Sequence, residues 1–482
     1  MIETNVSRSL FLVQEYAPYF VEGGLGVAAR MLPKLLQKNH GLEHTVVLPY
    51  YGDVEGLNFE IIEQYTVETP KWGVIDYAIS NLLDGTKNVF FIHCEKLYER
   101  GRLYGPSAGE DYTDSNERCI FYGLAIKHWI EQSNLKFDVV HANEWQTAFA
   151  LYCVKEALRQ KVKCIYNIHN YEYKGIFDID VIPSSMRKSI QKTLIQCECT
   201  FLDLGVEIAD ILITCSLTYR SELIVASPIN SSIRSKPFYG VTAGIDASYW
   251  SPGNEQVLAH TFNQESFVAG KSSNKKILQK TIGLKECANH ILIGISSRFV
   301  TQKGIPELVH CLDYLLTKGR VQVFLMGSVE TLYQDDIDQL SLRHVGKIKH
   351  VNEFETQLAF LLYAGSDFTF MPSRYEPCGL NQQIAQSFGT IPVCAPVGGL
   401  LDTISCHSQN KIKGNGFLVD FTDIDCAAVE IEQIFDWFRH DIEERNALIM
   451  NALLTDNSWN NTGKIYAEIY NRLLQNMHIT KE

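Results

Sequence analysis

Short apolar runs alternate with longer segments of helical periodicity along most of the chain. The apolar runs are rich in Val, Ile, Phe and Leu and lack polar alternation, which predicts the strands of a parallel sheet covered on both faces. The predicted strands form two series, residues 9–14, 44–49, 88–93, 137–141, 163–168, 211–215 and 237–241, and then residues 291–295, 321–326, 348–351, 367–371, 391–394 and 416–419. Helical segments such as 26–37, 115–131, 305–317, 356–364 and 380–388 separate them. Repeated strand–helix–strand units predict an α/β protein with two Rossmann-like, doubly wound domains.

A polar stretch with weak periodicity separates the two series of strands. It begins after Trp250 and includes residues 272–276, which we predict to be a surface loop. We therefore predict an N-terminal Rossmann-like domain of residues 1–250, a C-terminal one of residues 251–457, and a final helix within residues 458–482 that packs back toward the N-terminal domain. Ligands of open α/β sheets bind beyond the carboxyl ends of the strands. We therefore expect the two domains to face each other across one cleft.

Composition and charge exclude several classes of function. The chain carries 43 basic and 56 acidic side chains, a formal charge of -13, which argues against nucleic acid or an anionic membrane as the main partner. No run approaches the roughly 18 apolar residues that span a bilayer. The 13 cysteines are scattered, and Cys197-Glu198-Cys199 lacks the spacing of a metal site. We therefore expect a cytoplasmic protein with free thiols.

A glycine-rich loop, residues 21–26, follows the first predicted strand and precedes a helix. Its Gly23 and Gly24 would let the backbone come close to a ligand, and the helix N-terminus would offer N–H groups to a phosphate or sugar oxygen. The loop matches neither the dinucleotide-binding pattern nor the Walker pattern. It is therefore a candidate ligand loop, with a plain turn as the alternative.

Polar clusters follow two further strands of the same predicted domain. Asn143, Glu144 and Trp145 follow one strand, and His169 and Asn170 follow the next. Hydroxyl-binding side chains beside a flat aromatic ring suit the mixed faces of a sugar. Structural hydrogen bonding by the histidine is the alternative.

Two motifs of the predicted C-terminal domain combine charge with a strand end. Arg298 and Lys303 lie five residues apart after its first strand, where two cations could clamp a pyrophosphate; two solvated surface charges are the alternative. Residues 372–382 join a later strand to a helix and bring Glu376 and Gly379 to the helix N-terminus. Phosphate could approach backbone amides there, and a capping carboxylate is the alternative.

These motifs, in this order along nearly the whole chain, resemble those of bacterial glycogen synthases and plant starch synthases. The matching segments are Gly23-Gly24-Leu25, Asp138-Val139-Val140-His141-Ala142 with Trp145, His169-Asn170 with Gly175-Ile176-Phe177, Gly244-Ile245-Asp246 with Trp250-Ser251-Pro252, Ser297-Arg298 with Gln302-Lys303-Gly304, Pro372-Ser373-Arg374 with Glu376-Pro377-Cys378-Gly379-Leu380, and Gly398-Gly399-Leu400. The resemblance implies the GT-B architecture, two Rossmann-like domains facing across a cleft. It also implies a retaining glucosyltransferase that moves glucose from ADP-glucose or UDP-glucose to the non-reducing end of an α-1,4-glucan.

The same resemblance implies roles for individual residues. Arg298 and Lys303 would bind the donor's diphosphate, and Glu376 would bind the hydroxyls of the donor sugar. His169 would contact that sugar near the reacting carbon. The donor site would further include Gly23, Gly24, Cys378, Gly379, Leu380 and Asn381, and the acceptor side would include Asn143, Glu144 and Trp145. The implied partners are a nucleoside-diphosphate sugar and a glucan or other glycan, with no metal and no cofactor.

The chain departs from the family pattern mainly in its N-terminal half. Val21 and Glu22 replace the Lys and Thr of the first loop, which removes a phosphate-binding cation and adds a carboxylate. Residues 143–145 replace His-Asp-Trp, and Asn381 stands where Ser or Thr is usual. Three functions stay open: an active glucan synthase, a relative with a different acceptor or sugar nucleotide, and a catalytically silent sugar- or nucleotide-binding protein. The intact cations and carboxylate of the second domain favour an active enzyme.

Overall fold

The computed structural model describes residues 8–52, 58–83, 88–106, 111–159, 161–195, 198–226 and 231–479. The chain divides into two compact units. Unit 1 consists of Met1–Cys215, Arg220–Val241 and Asn460–Glu482, and unit 2 consists of Ser216–Tyr219 and Thr242–Trp459. The predicted boundary after residue 250 lies inside unit 2, because Ile245 belongs to the core of that unit and Trp250 stacks on Phe360 with 4.6 Å between the ring centroids.

A nine-stranded sheet forms the centre of unit 1 in the described part of the chain. Its strands are β1 (Arg8–Leu12), β2 (Glu43–Pro49), β3 (Phe59–Thr69), β4 (Gly73–Leu82), β5 (Val89–His93), β6 (Val139–Asn143), β7 (Lys163–Ile168), β8 (Ile211–Thr214) and β9 (Phe238–Gly240). The spatial order is β3-β4-β5-β2-β1-β6-β7-β8-β9, and only the β3–β4 and β4–β5 pairs are antiparallel. All seven strands predicted for this region are present.

The hairpin β3–β4 is an addition to the predicted strands. Most of β3 is exposed or half-buried, whereas β6 is buried along its whole length. A strand with one solvated face lacks the continuous apolar run that identifies a buried parallel strand. The helices of this part of the chain are α1 (Gly24–His40), α2 (Ser115–Gln132), α3 (Ala148–Ala157), α4 (Ser184–Thr193), α5 (Phe201–Ile208), α6 (Leu217–Ala226) and α7 (Ser231–Ser235).

Unit 2 has an all-parallel sheet of six described strands in the order β12-β11-β10-β13-β14-β15. The strands are β10 (Ile291–Ser296), β11 (Val321–Met326), β12 (Ile348–Val351), β13 (Phe368–Met371), β14 (Ile391–Cys394) and β15 (Phe417–Leu418). The helices are α8 (Phe267–Thr281), α9 (Ile305–Lys318), α10 (Gln334–Arg343), α11 (Thr356–Gly365), α12 (Asn381–Ser387), α13 (Gly398–Thr403), α14 (Ile424–His440) and α15 (Ile442–Leu454). This is the 3-2-1-4-5-6 order of the Rossmann fold. The predicted α/β class with two doubly wound sheets is confirmed.

The surface loop predicted at residues 272–276 is wrong, because these residues lie within α8. The sequence there is polar, but two of the polar side chains are buried with partners. Asn274 donates a hydrogen bond to the carbonyl of His260 at 2.7 Å, and Lys275 forms an ion pair with Asp367 at 2.6 Å. Burial of a polar side chain is tolerated when it is hydrogen-bonded. These polar residues can therefore lie buried within a helix.

The last described helix, α16 (Trp459–Ile479), belongs to unit 1 from Asn460 onward. Two tyrosines on one face of it reach the sheet of unit 1. The Tyr466 hydroxyl accepts a hydrogen bond from the side chain of Asn167 at 3.0 Å, and the Tyr470 hydroxyl lies 2.9 Å from Nδ1 of His141. The helix is therefore anchored by polar contacts as well as by its buried apolar face.

Candidate active site

Among the parallel strands of each sheet the order reverses once, between β1 and β6 in unit 1 and between β10 and β13 in unit 2. The connections on the two sides of this point leave toward opposite faces of the sheet, which opens a crevice beyond the carboxyl ends of the two strands. We call these places the unit 1 crevice and the unit 2 crevice. Most of the predicted site residues follow these four strands, and His169 follows the neighbouring β7.

The centre of the unit 2 crevice is an ion pair between Lys303 and Glu376. The Lys303 Nζ atom lies 2.5 Å from Glu376 Oε2, and the Ser373 hydroxyl donates to the same oxygen at 3.1 Å. The side chain of Glu376 is only 7% exposed, and that of Lys303 is 20% exposed. The structure thus brings together two of the predicted residues, and Ser373 is an additional partner that the motif contained without a separate prediction.

The loop that carries Glu376 is fixed by backbone contacts on two sides. Arg374 donates its backbone N–H to the carbonyl of Gln302 at 2.9 Å, which ties the loop to the Lys303 turn. Gly399 donates to the carbonyl of Glu376 at 2.9 Å. Gly398 has a φ of 46°, and a Cβ atom there would lie 2.0 Å from the Glu376 carbonyl oxygen, so only glycine fits. The Gly-Gly segment therefore positions the carboxylate.

Arg298 lies at the mouth of the unit 2 crevice and is exposed. Within the described residues its guanidinium has no hydrogen bond or ion pair, so the structure does not join it to Lys303 or Glu376. A small cavity of about 20 Å³ in the same crevice is lined by residues that include Lys303, Ser373 and Asn381. Asn381 donates from its side chain to the carbonyl of Ser296 at 2.5 Å, and both residues line that cavity. Arg298 is thus a cation available to an anionic ligand.

Residues 378–380 lead into α12 and contribute backbone more than side chains. The Cys378 thiol is buried and faces the carbonyl of Ala243 at 3.8 Å, and burial raises its pKa to about 12. It is therefore an unionised packing group. Gly379 has a φ of 75° and Leu380 directly precedes α12. The predicted donor contacts of these three residues would accordingly run through backbone amides.

In the unit 1 crevice, His169 is held between two side chains. Its Nε2 atom lies 3.0 Å from Oδ1 of Asn143, and its Nδ1 atom lies 3.4 Å from Sγ of Cys215. Burial lowers the pKa of His169 to about 4. The imidazole is therefore neutral at physiological pH, and it can contact a sugar without presenting a positive charge.

Glu144 fixes the backbone on which His169 lies. One carboxylate oxygen accepts the backbone N–H of His169 at 2.5 Å and that of Asn170 at 2.7 Å. Burial raises the pKa of Glu144 to about 8, although these hydrogen bonds favour the ionised form. This oxygen holds the loop in place, so Glu144 acts as a positioning group for His169, and its place on the acceptor side stays a prediction.

Trp145 is a packing residue, in contrast to the sugar platform that we expected. Its side chain is buried and stacks near Phe201, with 6.2 Å between the ring centroids. Gly175, at a φ of 62°, covers the indole so closely that a Cβ atom would lie 2.2 Å from a ring carbon. An aromatic face covered in this way is not available to a ligand.

Glu15 is a central residue of the unit 1 crevice that sequence analysis missed. One of its oxygens accepts the backbone N–H groups of Glu22 and Gly23 at 3.0 Å and of Gly26 at 3.3 Å. Its other oxygen accepts the Tyr104 hydroxyl at 2.5 Å. The sequence feature that could have identified Glu15 is the position of a carboxylate shortly after the end of β1. The Gly23 amide is therefore already bound within the protein, whereas a Cβ atom at Gly23 would meet open space.

No cluster of three or more His, Cys, Asp or Glu side chains that could hold a metal occurs in the part of the chain that the structure describes. Cys197, of the Cys197-Glu198-Cys199 pattern, lies outside the described residues. Among the described helices, none is both long and apolar enough to cross a bilayer.

Comparison with known proteins places this geometry in a family. Residues 8–230 match the starch synthase catalytic domain, and residues 281–453 match the glycosyl transferases group 1. The glycogen synthase of Lactococcus lactis is 30% identical over 97% of this chain and 100% of its own, and that of Clostridium beijerinckii is 30% identical over 97% and 99%.

Among solved structures, the catalytic domain of starch synthase IV from Arabidopsis thaliana, bound to ADP and acarbose, is 26% identical. It covers 98% of this chain and 100% of its own with a TM-score of 0.85. This likeness confirms the expected GT-B fold class and a glycosyltransferase enzyme. The chain belongs to the glycogen and starch synthase family of glycosyltransferases.

Proposed function

We propose that this chain transfers glucose from a nucleoside-diphosphate glucose to the non-reducing end of an α-1,4-glucan, with ADP-glucose as the first candidate donor and UDP-glucose as the second. The observation that carries the proposal is the unit 2 crevice, where the Lys303–Glu376 pair lies beside the unpaired Arg298 at the strand-order reversal. Similarity to named glycogen synthases and to a starch synthase bound to ADP supports the choice of donor and acceptor.

The two cations supply the electrostatic part of the reaction. As the bond between the sugar and the diphosphate breaks, negative charge grows on the leaving oxygen, and Arg298 and Lys303 stabilise that charge. Glu376 accepts hydrogen bonds from the hydroxyls of the donor sugar once Lys303 has turned toward phosphate. The acceptor hydroxyl forms the new bond to the anomeric carbon on the face that the diphosphate leaves, and its proton passes to a phosphate oxygen. The configuration is thereby retained.

His169 and its supporting residues have a second role in the proposal. A neutral imidazole beside Asn143 can hydrogen-bond a hydroxyl of the sugar, and Glu144 holds the loop from which it projects. A rigidly held contact of this kind orients the substrate without charge. A cytoplasmic location belongs to the same proposal and is supported by the exposed free thiols of Cys199 and Cys426, which are typical of a reducing compartment.

The first loop favours a second candidate function, transfer to another glycan acceptor or from another sugar nucleotide. Val21 replaces a phosphate-binding lysine, and Glu22 adds a negative charge beside it. A lost charge-assisted hydrogen bond costs roughly 1.5–3 kcal/mol, which corresponds to a donor affinity about ten- to a hundredfold weaker. The unit 1 crevice therefore differs in charge from that of a standard glycogen synthase.

Transfer of labelled glucose by the purified protein tests the proposal. ADP-glucose and UDP-glucose are supplied in parallel, with glycogen as acceptor, and both incorporation and donor hydrolysis are measured. Incorporation into glycogen supports the first function, and donor turnover without incorporation supports transfer to another acceptor. No turnover of either donor contradicts both of these and leaves another sugar nucleotide or a catalytically silent binding protein. In the active protein, Arg298→Ala should abolish transfer, and Arg343→Ala, which removes an exposed arginine of the same unit, should not.

A further inference from the structure

The imidazole of His169 in the unit 1 crevice has a contact at each of its ring nitrogens. Nε2 lies 3.0 Å from Oδ1 of Asn143, and Nδ1 lies 3.4 Å from Sγ of Cys215. The three residues lie at the carboxyl ends of three neighbouring strands, because Asn143 ends β6, His169 follows β7 and Cys215 follows β8. Asn143 and His169 belong to the sequence motifs of this crevice, whereas Cys215 belongs to none of them.

The contacts of Asn143 determine which ring nitrogen carries the proton. The side-chain NH₂ group of Asn143 donates to the carbonyl of Leu12 at 3.2 Å, so the oxygen of the amide is the atom that faces His169. An amide oxygen only accepts hydrogen bonds. Burial lowers the pKa of His169 to about 4, so at neutral pH the ring has a single proton. That proton is therefore on Nε2, and Nδ1 is an acceptor.

The thiol of Cys215 is a donor for that acceptor. Its side chain is buried, and two carbonyls lie farther from Sγ than Nδ1 does, that of Ile168 at 3.9 Å and that of His169 at 3.8 Å. The carbonyl of Ile168 also accepts the hydroxyl of Thr214 at 2.7 Å. Nδ1 is thus the nearest of these three acceptors for the thiol proton. The imidazole is held at both nitrogens and cannot turn without breaking both contacts.

We propose that Cys215 is a positioning residue for His169, because its thiol proton and the oxygen of Asn143 together hold the imidazole in one tautomer and one orientation. The effect on transfer rests on the proposed function, in which His169 contacts the donor sugar near the reacting carbon. A group that is already in place before the substrate arrives costs no ordering in the transition state. Cys215 acts through His169 and does not itself contact the substrate.

The same three residue types form the nucleophilic site of papain-like cysteine proteases, in which the histidine takes the proton of the thiol. In this protein the imidazole of His169 is a weak base, because burial disfavours its protonated form. The thiol of Cys215 therefore keeps its proton. It holds the ring and does not attack a substrate.

Nitrogen NMR of the full chain with ¹⁵N-labelled histidine tests the positioning and needs no substrate. The resonances of His169 are assigned by their absence in His169→Asn. In the wild type we expect Nε2 to be protonated and Nδ1 to be an unprotonated, hydrogen-bonded acceptor. Cys215→Ala should move the Nδ1 resonance toward that of a free acceptor nitrogen, and Cys215→Ser, which keeps a donor, should move it back. Cys153→Ala removes a buried thiol of α3, and as the matched control it should leave the resonance unchanged.

Transfer of labelled glucose measures the effect of the positioning on the reaction. Cys215→Ala should lower kcat about two- to tenfold, the contribution of one hydrogen bond, and leave the KM for the donor unchanged. The effect is on kcat because a contact near the reacting carbon contributes most in the transition state. Cys215→Ser should restore most of kcat, and Cys153→Ala should change neither constant.

Three results would overturn the proposal. The first is a protonated Nδ1 in the wild type, or the same Nδ1 resonance in the wild type and in Cys215→Ala. The second is alkylation of Cys215 by iodoacetamide faster than that of the exposed Cys199 in the same molecule, because the thiol would then have given its proton to His169. The third is an unchanged kcat in Cys215→Ala. A wild-type protein that transfers no glucose would refute the proposed function alone, since the NMR comparison does not depend on turnover.

Discussion

Substitution of the two members of the ion pair in the unit 2 crevice should change the affinity for ADP in opposite directions. In the structure, Glu376 holds Lys303 through a contact of 2.5 Å. A donor diphosphate that binds Lys303 must first draw it away from that carboxylate. Glu376→Gln removes the competing charge and keeps the shape, so this variant should bind ADP more tightly than the wild type. Lys303→Ala should bind ADP more weakly.

The size of the effect follows from the exposure of the two side chains. A hydrogen bond between charged groups contributes roughly 1.5–3 kcal/mol, and solvent screening reduces the contribution. Lys303 is 20% exposed, which favours the lower end of that range. A change of about 1.5 kcal/mol corresponds to about tenfold in the dissociation constant. ADP should therefore bind about tenfold tighter to Glu376→Gln and at least tenfold more weakly to Lys303→Ala.

Calorimetric titration with ADP measures both constants, and incorporation of labelled glucose measures transfer. Transfer should fall at least a hundredfold in both variants, because one loses the contact with the sugar and the other loses charge stabilisation of the leaving group. Glu432→Gln, which alters a more exposed carboxylate paired with Lys318, is the matched control and should change neither. If Glu376→Gln weakens ADP binding as much as Lys303→Ala does, the carboxylate positions the lysine, and the competition argument is refuted.

Three further predictions concern unit 1. Gly175→Ala should lower the free energy of unfolding by about 2–4 kcal/mol in urea titrations, because the cost of a left-handed alanine and the cost of a clash with Trp145 add together. A loss below about 1 kcal/mol would contradict the packing role of that indole. The folded state keeps a proton on Glu144 up to about pH 8, whereas the unfolded chain loses it near pH 4.5. Glu144 therefore makes the free energy of unfolding fall as the pH rises between those two values. Glu144→Gln should remove this part of the pH dependence, which urea unfolding of both proteins across pH would measure. Tyr470→Phe leaves the buried His141 without its hydroxyl partner and should cost about 1–3 kcal/mol of unfolding free energy, with no effect if solvent reaches the imidazole.

The extent to which the fold could be predicted depended on burial. Strands buried on both faces, such as β6 and β10, are recognisable in the sequence as continuous apolar runs. All of the strands predicted in both series are present. The hairpin β3–β4 has a solvated face and lacks that signal. The N-terminal part of α8 was missed because the polar residues Asn274 and Lys275 are typical of a surface loop. Their hydrogen-bond and ion-pair partners lie elsewhere in the chain, so the local sequence does not predict that these side chains are buried.

The candidate site shows the same limit. Residues directly after strands were predicted because the ends of parallel strands collect ligands, and the structure does bring Lys303 to Glu376. The role of Trp145 could not be foreseen, because the glycine that covers it lies thirty residues later in the chain. The role of Glu15 depends on the following loop folding back over its carboxylate. Contacts of this kind, between residues that are apart in the sequence, are formed only by the folded chain and could not be predicted from the motifs.

The contacts of Glu15 also bear on how the donor's charge is neutralised. A glycine-rich loop before a helix binds phosphate through free backbone N–H groups. In this protein the carboxylate of Glu15 already accepts three of them, at Glu22, Gly23 and Gly26. The family's lysine in this loop is Val21 here, so the loop has neither the full set of amides nor the cation. In the proposed reaction, neutralisation of the donor diphosphate therefore depends on the cations of unit 2, Arg298 and Lys303.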